Sequence, residues 1–466
     1  MRAHFVAIGG VGMSVVAELM LAQGVTVTGS DRSDSPVLQH LAALGATVHV
    51  GHDAAHVSGA DVVVVSTAIH ADNPELVAAR EQGIEVIHRS QALARAAAGQ
   101  DFVAVAGAHG KTTTSAMLAL ALADLGLDPS YAIGAGLRGR GSGGHLGAGS
   151  LFVAEADESD GSFLAYQPRV AVVTNIEPDH LDHYGTAEAV HQAFTDFADR
   201  IVPGGLLVAC TDDLGAADLA RRTAAVGTRV LGYGTTVPDD GPPERVQIRV
   251  RELGGQGSRA ELVATDASGQ VAEPVELVLP VPGEHNLRNA VAAWCAGREL
   301  GADPVALARA LGTFTGTARR FEDRGSAGGV RVIDDYAHHP TEVAALLTTA
   351  RQTAAGGRVL VLFQPHLFSR TEAFAEDFAH ALSVADAVVL TAIYPAREEP
   401  RPGITSALVA DRVAGARYLP DDEAAARAVA DLARPGDLVL TVGAGDVTTL
   451  APVILDRIET RAQERS

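Results

Sequence analysis

Residues 102–125 read FVAVAGAHGKTTTSAMLALALADL, an apolar run, a glycine turn and a helical pattern in immediate succession. The apolar run 102–106 has the length and β-branched content of a buried strand. The glycines of 107–110 break it, and a helix-periodic stretch then runs from Lys111 to about Leu125. A glycine-rich turn between a strand and a helix points backbone N–H groups at one spot, where the positive end of the helix dipole adds to them. Such a loop suits phosphate. Gly107, Ala108, His109, Gly110 and Thr113 can line it, Lys111 can reach β- and γ-phosphates, and the Thr112 hydroxyl can hold Mg²⁺. The spacing is shorter than in the general P-loop, since Val105 stands five residues before Gly110. Lys111 is the only lysine in the chain; the other 35 cationic residues are arginine.

The same rhythm precedes this unit. The strand run 4–9 (HFVAIG) leads into a glycine turn and a helical pattern over 13–23, with further strands at 25–29 and 62–66, which reads as βαβ with a parallel sheet. Gly9, Gly10, Val11 and Gly12 open that first helix, and Asp31 follows Gly12 by 19 residues, the place for an acid on a ribose. The full dinucleotide fingerprint fails, because counting from Gly10 its third glycine position holds Val15. The loop therefore reads as a site for a nucleotide diphosphate, with a nicotinamide dehydrogenase or a purely structural turn as alternatives. Downstream, strands are expected at 151–155 and 170–174, a helix at 186–200, an antiparallel insert from 245–251 and 259–264, and helices at 287–300 and 303–312. After Gly316, strands near 330–334, 358–363, 386–391 and 437–442 alternate with helices at 340–354, 371–383 and 421–433. The expected fold class is α/β in three domains: a Rossmann-like 1–97, a P-loop ATPase-like 98–317 carrying the insert, and a Rossmann-like 318–466. Hinges are expected near 97–100 and 313–318.

Length and charge agree with this. At about 150 residues per domain, 466 residues suggest about three. Lys plus Arg total 36 against 57 acidic residues, a formal charge of −21, which opposes binding to nucleic acid or anionic membrane. No run of about 18 apolar residues is present to span a bilayer. Two cysteines fit a reducing compartment, and the early first strand leaves no room for a leader, so a cytoplasmic globular protein, monomer or homodimer, is expected.

Several further stretches are dense in chemistry. Glu155 ends a strand in EADESD (155–160), and His180 sits in NIEPDHLDHYG (175–185). GEHNLRN (283–289) puts Asn286 and Asn289 three apart on a helix, suited to adenine or ribose, or with Asn286 as a simple cap. Arg320 lies in TARRF (317–321) at the second boundary. DDYAHHPTE (334–342) gathers Asp335, Tyr336 and His339 on one βα loop, and QPHLFSRT (364–371) adds His366 and Arg370.

Taken together, GGVGMS, VVSTAI (64–69), GAHGKTTT, EADESD, NIEPDH, EHNLRN, DDYAHHPTE and QPHLFSRT resemble the Mur ligase family in order and spacing over essentially the whole chain. The resemblance implies a three-domain, ADP-forming ligase in which ATP phosphorylates a muramyl carboxylate and the amine of alanine attacks the acyl phosphate. It implies that Lys111 stabilises the terminal phosphates, that Thr112, Glu155 and His180 hold Mg²⁺ or Mn²⁺, and that Asn286 and Asn289 contact adenosine. Arg320, oriented by Asp335, would close on phosphate. Tyr336, His339, His366 and Arg370 would shape the muramyl carboxylate and alanine site. Gly9, Gly10, Val11, Gly12, Asp31, Ser66 and Ala68 would hold the UDP part.

Three departures stand out. The helix 186–200 has no lysine for the carbamylated, metal-bridging acid of several relatives, Leu367 occupies a position that is arginine in some alanine ligases, and the loop reads GAHG where GTHG is common. A ligase joining a recycled tripeptide to the same UDP-sugar is the nearest alternative. The chemistry also demands a group to take the amine's proton, since an α-amino group titrates near 7.7–8.0; His339 and Asp335 are both candidates.

Overall fold

A computed structural model describes residues 1–137, 141–238, 241–396 and 398–465, whose strands gather into three sheets. The first sheet has the order Thr47–Val50, Thr26–Asp31, Arg2–Val6, Val62–Val65, Glu85–His88, and every neighbouring pair is parallel. The chain starts in the middle and builds outward in both directions. Strand order therefore reverses between Arg2–Val6 and Val62–Val65, and this switch point leaves a crevice at the carboxyl edge. Helix Val11–Ala22 covers the Ala3 and Phe5 face, while Val6 and Val63 pack under Ala54–Val57 and Pro74–Glu81. The first strand ends earlier than the run 4–9 suggests, because Ala7 takes a left-handed φ of 59° and starts the glycine turn. The two edge strands are half-exposed, so they lack the apolar run that marks the central three.

The second sheet has ten strands, in the order Val275–Leu279, Gly257–Thr265, Glu244–Gly254, Arg229–Gly234, Leu206–Cys210, Val170–Val173, Asp101–Ala106, Leu151–Glu155, Ser130–Ala132, Gly144–His145. The strand Asp101–Ala106, which leads into the 107–110 glycine loop, lies between two parallel neighbours and is nearly all buried. The glycine-punctuated pair expected as an insert is the hairpin Glu244–Gly254 and Gly257–Thr265. Its first strand pairs in parallel with Arg229–Gly234, so the hairpin extends the edge of this sheet.

In the third sheet the order is Glu322–Ala327, Val330–Asp335, Leu438–Val442, Val359–Phe363, Ala387–Leu390, Arg417–Tyr418, with only the first pair antiparallel. The helix expected over 371–383 is two helices, Phe368–Ala373 and Ala375–Leu382, because Phe374 leaves helical geometry at φ −115°, ψ 20°. By packing, residues 1–251, 259–278 and 287–314 form one compact unit, and residues 252–258, 279–286 and 315–466 another. No described helix is long and apolar enough to cross a membrane.

Candidate active site

In the first unit the loop 107–110 is built on glycines that have no substitute. Gly107 and Gly110 take φ of 134° and 84°. A Cβ on the first would lie 2.1 Å from Thr174 Oγ1, and on the second 2.5 Å from Asn289 Oδ1. Gly110 caps helix Lys111–Asp124 without any side-chain cap bond, so the first-turn amides are left for an anion. Asn175 pins the loop: its Oδ1 accepts from His109 N (2.8 Å) and its Nδ2 donates to His109 O (3.0 Å). Lys111 Nζ folds back to donate to Gly107 O (2.6 Å), Ala108 O (3.2 Å) and Glu158 Oε1 (2.8 Å). Thr112 Oγ1 donates to both Glu155 oxygens at 3.0 Å, and Gly134 N donates to Glu155 Oε2 at 2.9 Å. His180 stands at φ 55° with Nε2 3.8 Å from Glu158 Oε1 and 3.6 Å from Asp179 Oδ2.

Burial pushes the Glu158 carboxyl up to about 7, with Asp157 adding to the effect and Lys111 opposing it. Burial alone would lower Lys111, but Glu158, Asp157 and Glu155 outweigh it and hold the ammonium above its ordinary value. Asp157 is the reverse case: burial would raise it, and Arg89 with Lys111 holds it well below the carboxylate range. Glu158 Oε2 is buried and makes no hydrogen bond among the described residues. A hydroxyl, the Glu155 carboxylate, that spare oxygen and an imidazole form a mostly hard donor set, which fits Mg²⁺ or Mn²⁺. Within EADESD, sequence reasoning singled out Glu155 and passed over Asp157 and Glu158, although the acidic run itself was the available signal. Nothing in the sequence marked Arg89.

Helix Glu284–Glu299 starts two residues before Asn286, which therefore is not its cap; Asn286 Nδ2 donates back to Pro282 O at 2.7 Å. Asn289 is buried, with its Oδ1 against Gly110.

At the switch point of the first sheet, Gly9 N donates to Asp31 Oδ2 at 2.9 Å, closing the glycine turn, and Gly10 begins helix Val11–Ala22 without a side-chain cap. Across the crevice Ile69 N bonds Ser66 O (3.1 Å), which turns the chain and exposes Ala68. Two contacts join this edge to the acidic loop of the second sheet. Thr67 Oγ1 donates to Asp160 Oδ2 (2.8 Å), and Arg89, whose Nη1 lies 3.1 Å from where a Gly12 Cβ would stand, donates from Nη2 to Asp157 Oδ2 (2.6 Å).

In the second unit Tyr336 is flanked by two guanidinium groups, Arg319 at 4.9 Å and Arg320 at 5.3 Å from the ring centre. Asp335 gives one oxygen to Phe321 N (2.7 Å) and the other to Ala337 N (2.8 Å), while Arg320 Nη1 pairs with Glu342 Oε1 at 3.5 Å. Asp335 shapes the backbone next to Arg320 and acts on its guanidinium through charge; burial pushes its own carboxyl up to about 6. Glu342 Oε2 also accepts from His338 N (2.9 Å) and His339 N (3.3 Å), starting helix Pro340–Ala354. His339 is buried edge-on to Phe374. His366 stacks on Tyr394 and lies 3.5 Å from Arg370 Nη1, and edge-on to it sits His338, whose pKa burial lowers to about 3. Glu342 and His338 were quoted in the motif but given no role.

Three family models match the chain: the Mur ligase family catalytic domain over 2–101, the Mur ligase middle domain over 148–297 and the Mur ligase glutamate ligase domain over 319–445. Lys111 and its loop fall between the first two matches. A UDP-N-acetylmuramate–L-alanine ligase of Kineococcus radiotolerans is 56% identical over 99% of this chain and 97% of its own length. Among solved structures, the UDP-N-acetylmuramate-alanine ligase of Thermotoga maritima is similar at TM-score 0.77 and 28% identity, with 100% of both chains covered. A murein peptide ligase of Psychrobacter arcticus is similar at TM-score 0.72 and 25% identity, over 98% of this chain and 99% of that one. The chain belongs to the Mur ligase family.

Proposed function

We propose that this chain joins L-alanine to the carboxylate of UDP-N-acetylmuramate in an ATP-dependent reaction that passes through an acyl phosphate and releases ADP and phosphate, a step of peptidoglycan precursor synthesis in the cytoplasm. The observation that carries it is the chain's one ammonium, Lys111, held between phosphate-loop carbonyls and Glu158 at an uncapped helix N-terminus. The name and 56% identity of the Kineococcus relative support the two substrates.

A carboxylate is a poor electrophile, so one oxygen must become a leaving group before an amine can displace it. Phosphoryl transfer rests chiefly on positioning and charge neutralisation. Gly107, Ala108, His109, Gly110 and Thr113 cradle the phosphates, Lys111 neutralises the terminal ones, and Asn286 and Asn289 bind adenosine. Thr112, Glu155 and His180 would hold Mg²⁺ or Mn²⁺, which when bound screens the phosphate oxygens. The 9–12 loop, Asp31, Ser66 and Ala68 take the UDP portion. Arg320, Tyr336, His339, His366 and Arg370 serve the carboxylates and the transferring phosphoryl group. His339 and Asp335 are the two groups of this chain that can take the proton an α-amino group loses near 7.7–8.0. Domain limits at 97/98 and 317/318 belong to the same reading, each module serving one substrate class.

The test is to incubate the purified chain with ATP, UDP-N-acetylmuramate and either L-alanine or the recycled tripeptide, following phosphate release and product mass. Alanine-dependent release supports the proposal. Release with the tripeptide alone selects the murein peptide ligase reading, and hydrolysis indifferent to any amine overturns both.

A further inference from the structure

Glu75 is a fully buried carboxylate that the proposed chemistry leaves unused. It lies in the first turn of helix Pro74–Glu81, where Asn73 Oδ1 accepts from its backbone N at 2.9 Å. Its Oε2 accepts from Ser30 Oγ (2.6 Å) and lies 2.9 Å from His52 Nδ1; its Oε1 lies 2.8 Å from His56 Nδ1 and 3.5 Å from His4 Nε2. His4 is itself buried, with Nδ1 2.9 Å from Thr28 Oγ1, and its Nε2 faces the carboxylate. Burial alone would push the Glu75 carboxyl up, but its contacts with His4, Ser30, His56 and His52 outweigh that and bring it to about 2. None of these partners is a permanent cation. A buried ionised group of this kind is weak evidence of stabilisation, since an apolar residue commonly does as well or better.

The cluster's geometry suggests another use. It draws on the central strand Arg2–Val6, the strand Thr26–Asp31, the segment 52–57 and the helix that follows Val62–Val65. Ser30 adjoins Asp31, which closes the 9–12 glycine loop. On the other side, the turn from Ser66 runs through a second turn (Asn73 N to His70 O, 3.1 Å) directly into Glu75's helix. One carboxylate therefore reaches both walls of the crevice at the switch point.

We infer that Glu75 is a positioning residue for the UDP-sugar: without touching it, the carboxylate fixes the spacing between the 9–12 loop and the 66–68 turn, and so sets affinity for the UDP portion rather than the rate of the chemical steps. This rests on the function proposed above.

The experiment uses the full chain as wild type, Glu75→Gln, Ser30→Ala and the double variant. Binding of UDP and UDP-N-acetylmuramate is measured by calorimetry, and KM and kcat are measured for all three substrates. Glu75→Gln is expected to raise Kd and KM for the UDP-sugar about tenfold or more, leaving kcat and the KM for ATP within about twofold, the pattern of lost uniform binding. Ser30→Ala should raise the same constants about threefold to tenfold and add little in the Glu75→Gln background, because the two act through one link. If Glu75→Gln does not fold, Ser30→Ala carries the test alone. UDP-sugar affinity within about twofold of wild type alongside a lowered melting temperature overturns the inference, as does a parallel shift of kcat and every KM. Wild type that binds neither UDP nor UDP-N-acetylmuramate overturns the functional reading itself, which keeps the two failures distinct.

Discussion

Replacing Lys111 by methionine keeps most of the side chain's volume and removes its charge. The ammonium has three oxygen acceptors between 2.6 and 3.2 Å. On the proposed function it would exchange some of these for phosphate oxygens when nucleotide binds, and each charge-assisted bond is worth about 1.5–3 kcal/mol. Two such bonds realised in phosphoryl transfer amount to ~4 kcal/mol, a fall of about a thousandfold in kcat. The fold itself should lose less. Without the ammonium, the Glu158 carboxyl, already near 7, moves further up and becomes neutral, which limits the cost to ~1–2 kcal/mol. The assay is alanine-dependent phosphate release at saturating ATP, with UDP-N-acetylmuramate binding as the control, since the 9–12 loop does not contain the substitution. A methionine variant within about tenfold of wild-type kcat would refute the reasoning, because no other lysine exists to take over.

Glu155→Gln should move the Mg²⁺ midpoint of activity up by about tenfold or more, since one ionised oxygen of the donor set is lost; an unchanged Mg²⁺ titration removes Glu155 from the metal site. Gly110→Ala forces a Cβ to 2.5 Å from Asn289 Oδ1 at a φ of 84°, so ATP affinity should fall and stability drop by ~1–3 kcal/mol, read by nucleotide titration and thermal melting. Glu75 is held near 2 against an ordinary 4.5, so its contribution of ~3 kcal/mol is complete above pH 4.5 and drains away as pH falls towards 2. Denaturant unfolding should show Glu75→Gln closest to wild type at the acid end of that window, and a gap that widens on acidification contradicts the assignment.

The legible parts of this protein are local ones. The strand, glycine turn and helix over 102–125, the parallel opening unit and the returning βα rhythm all follow from apolar runs a few residues long and from glycines between them. The half-exposed edge strands Thr47–Val50 and Glu85–His88 escaped because a strand with little buried face carries no apolar signature. The break at Phe374 escaped because the pattern on either side of it is helical.

Residue types along the chain were enough to nominate a phosphate loop, a lone ammonium beside it, and a ribose acid after the first glycine turn, since each depends on neighbours within about twenty positions. The pairings that give those groups their charge state were out of reach of such a reading. Lys111 meets Glu158 across 47 residues and Arg89 meets Asp157 across 68, and Arg320 pairs with Glu342 as well as facing the charge of Asp335. Lys111 reaches Glu158 because the parallel strands Asp101–Ala106 and Leu151–Glu155 bring their carboxyl ends to one edge, and Arg89 reaches Asp157 because the segment after Glu85–His88 meets the acidic loop of another sheet. There the burial that shifts a carboxyl is a property of the packed molecule, and no stretch of chain carries it alone.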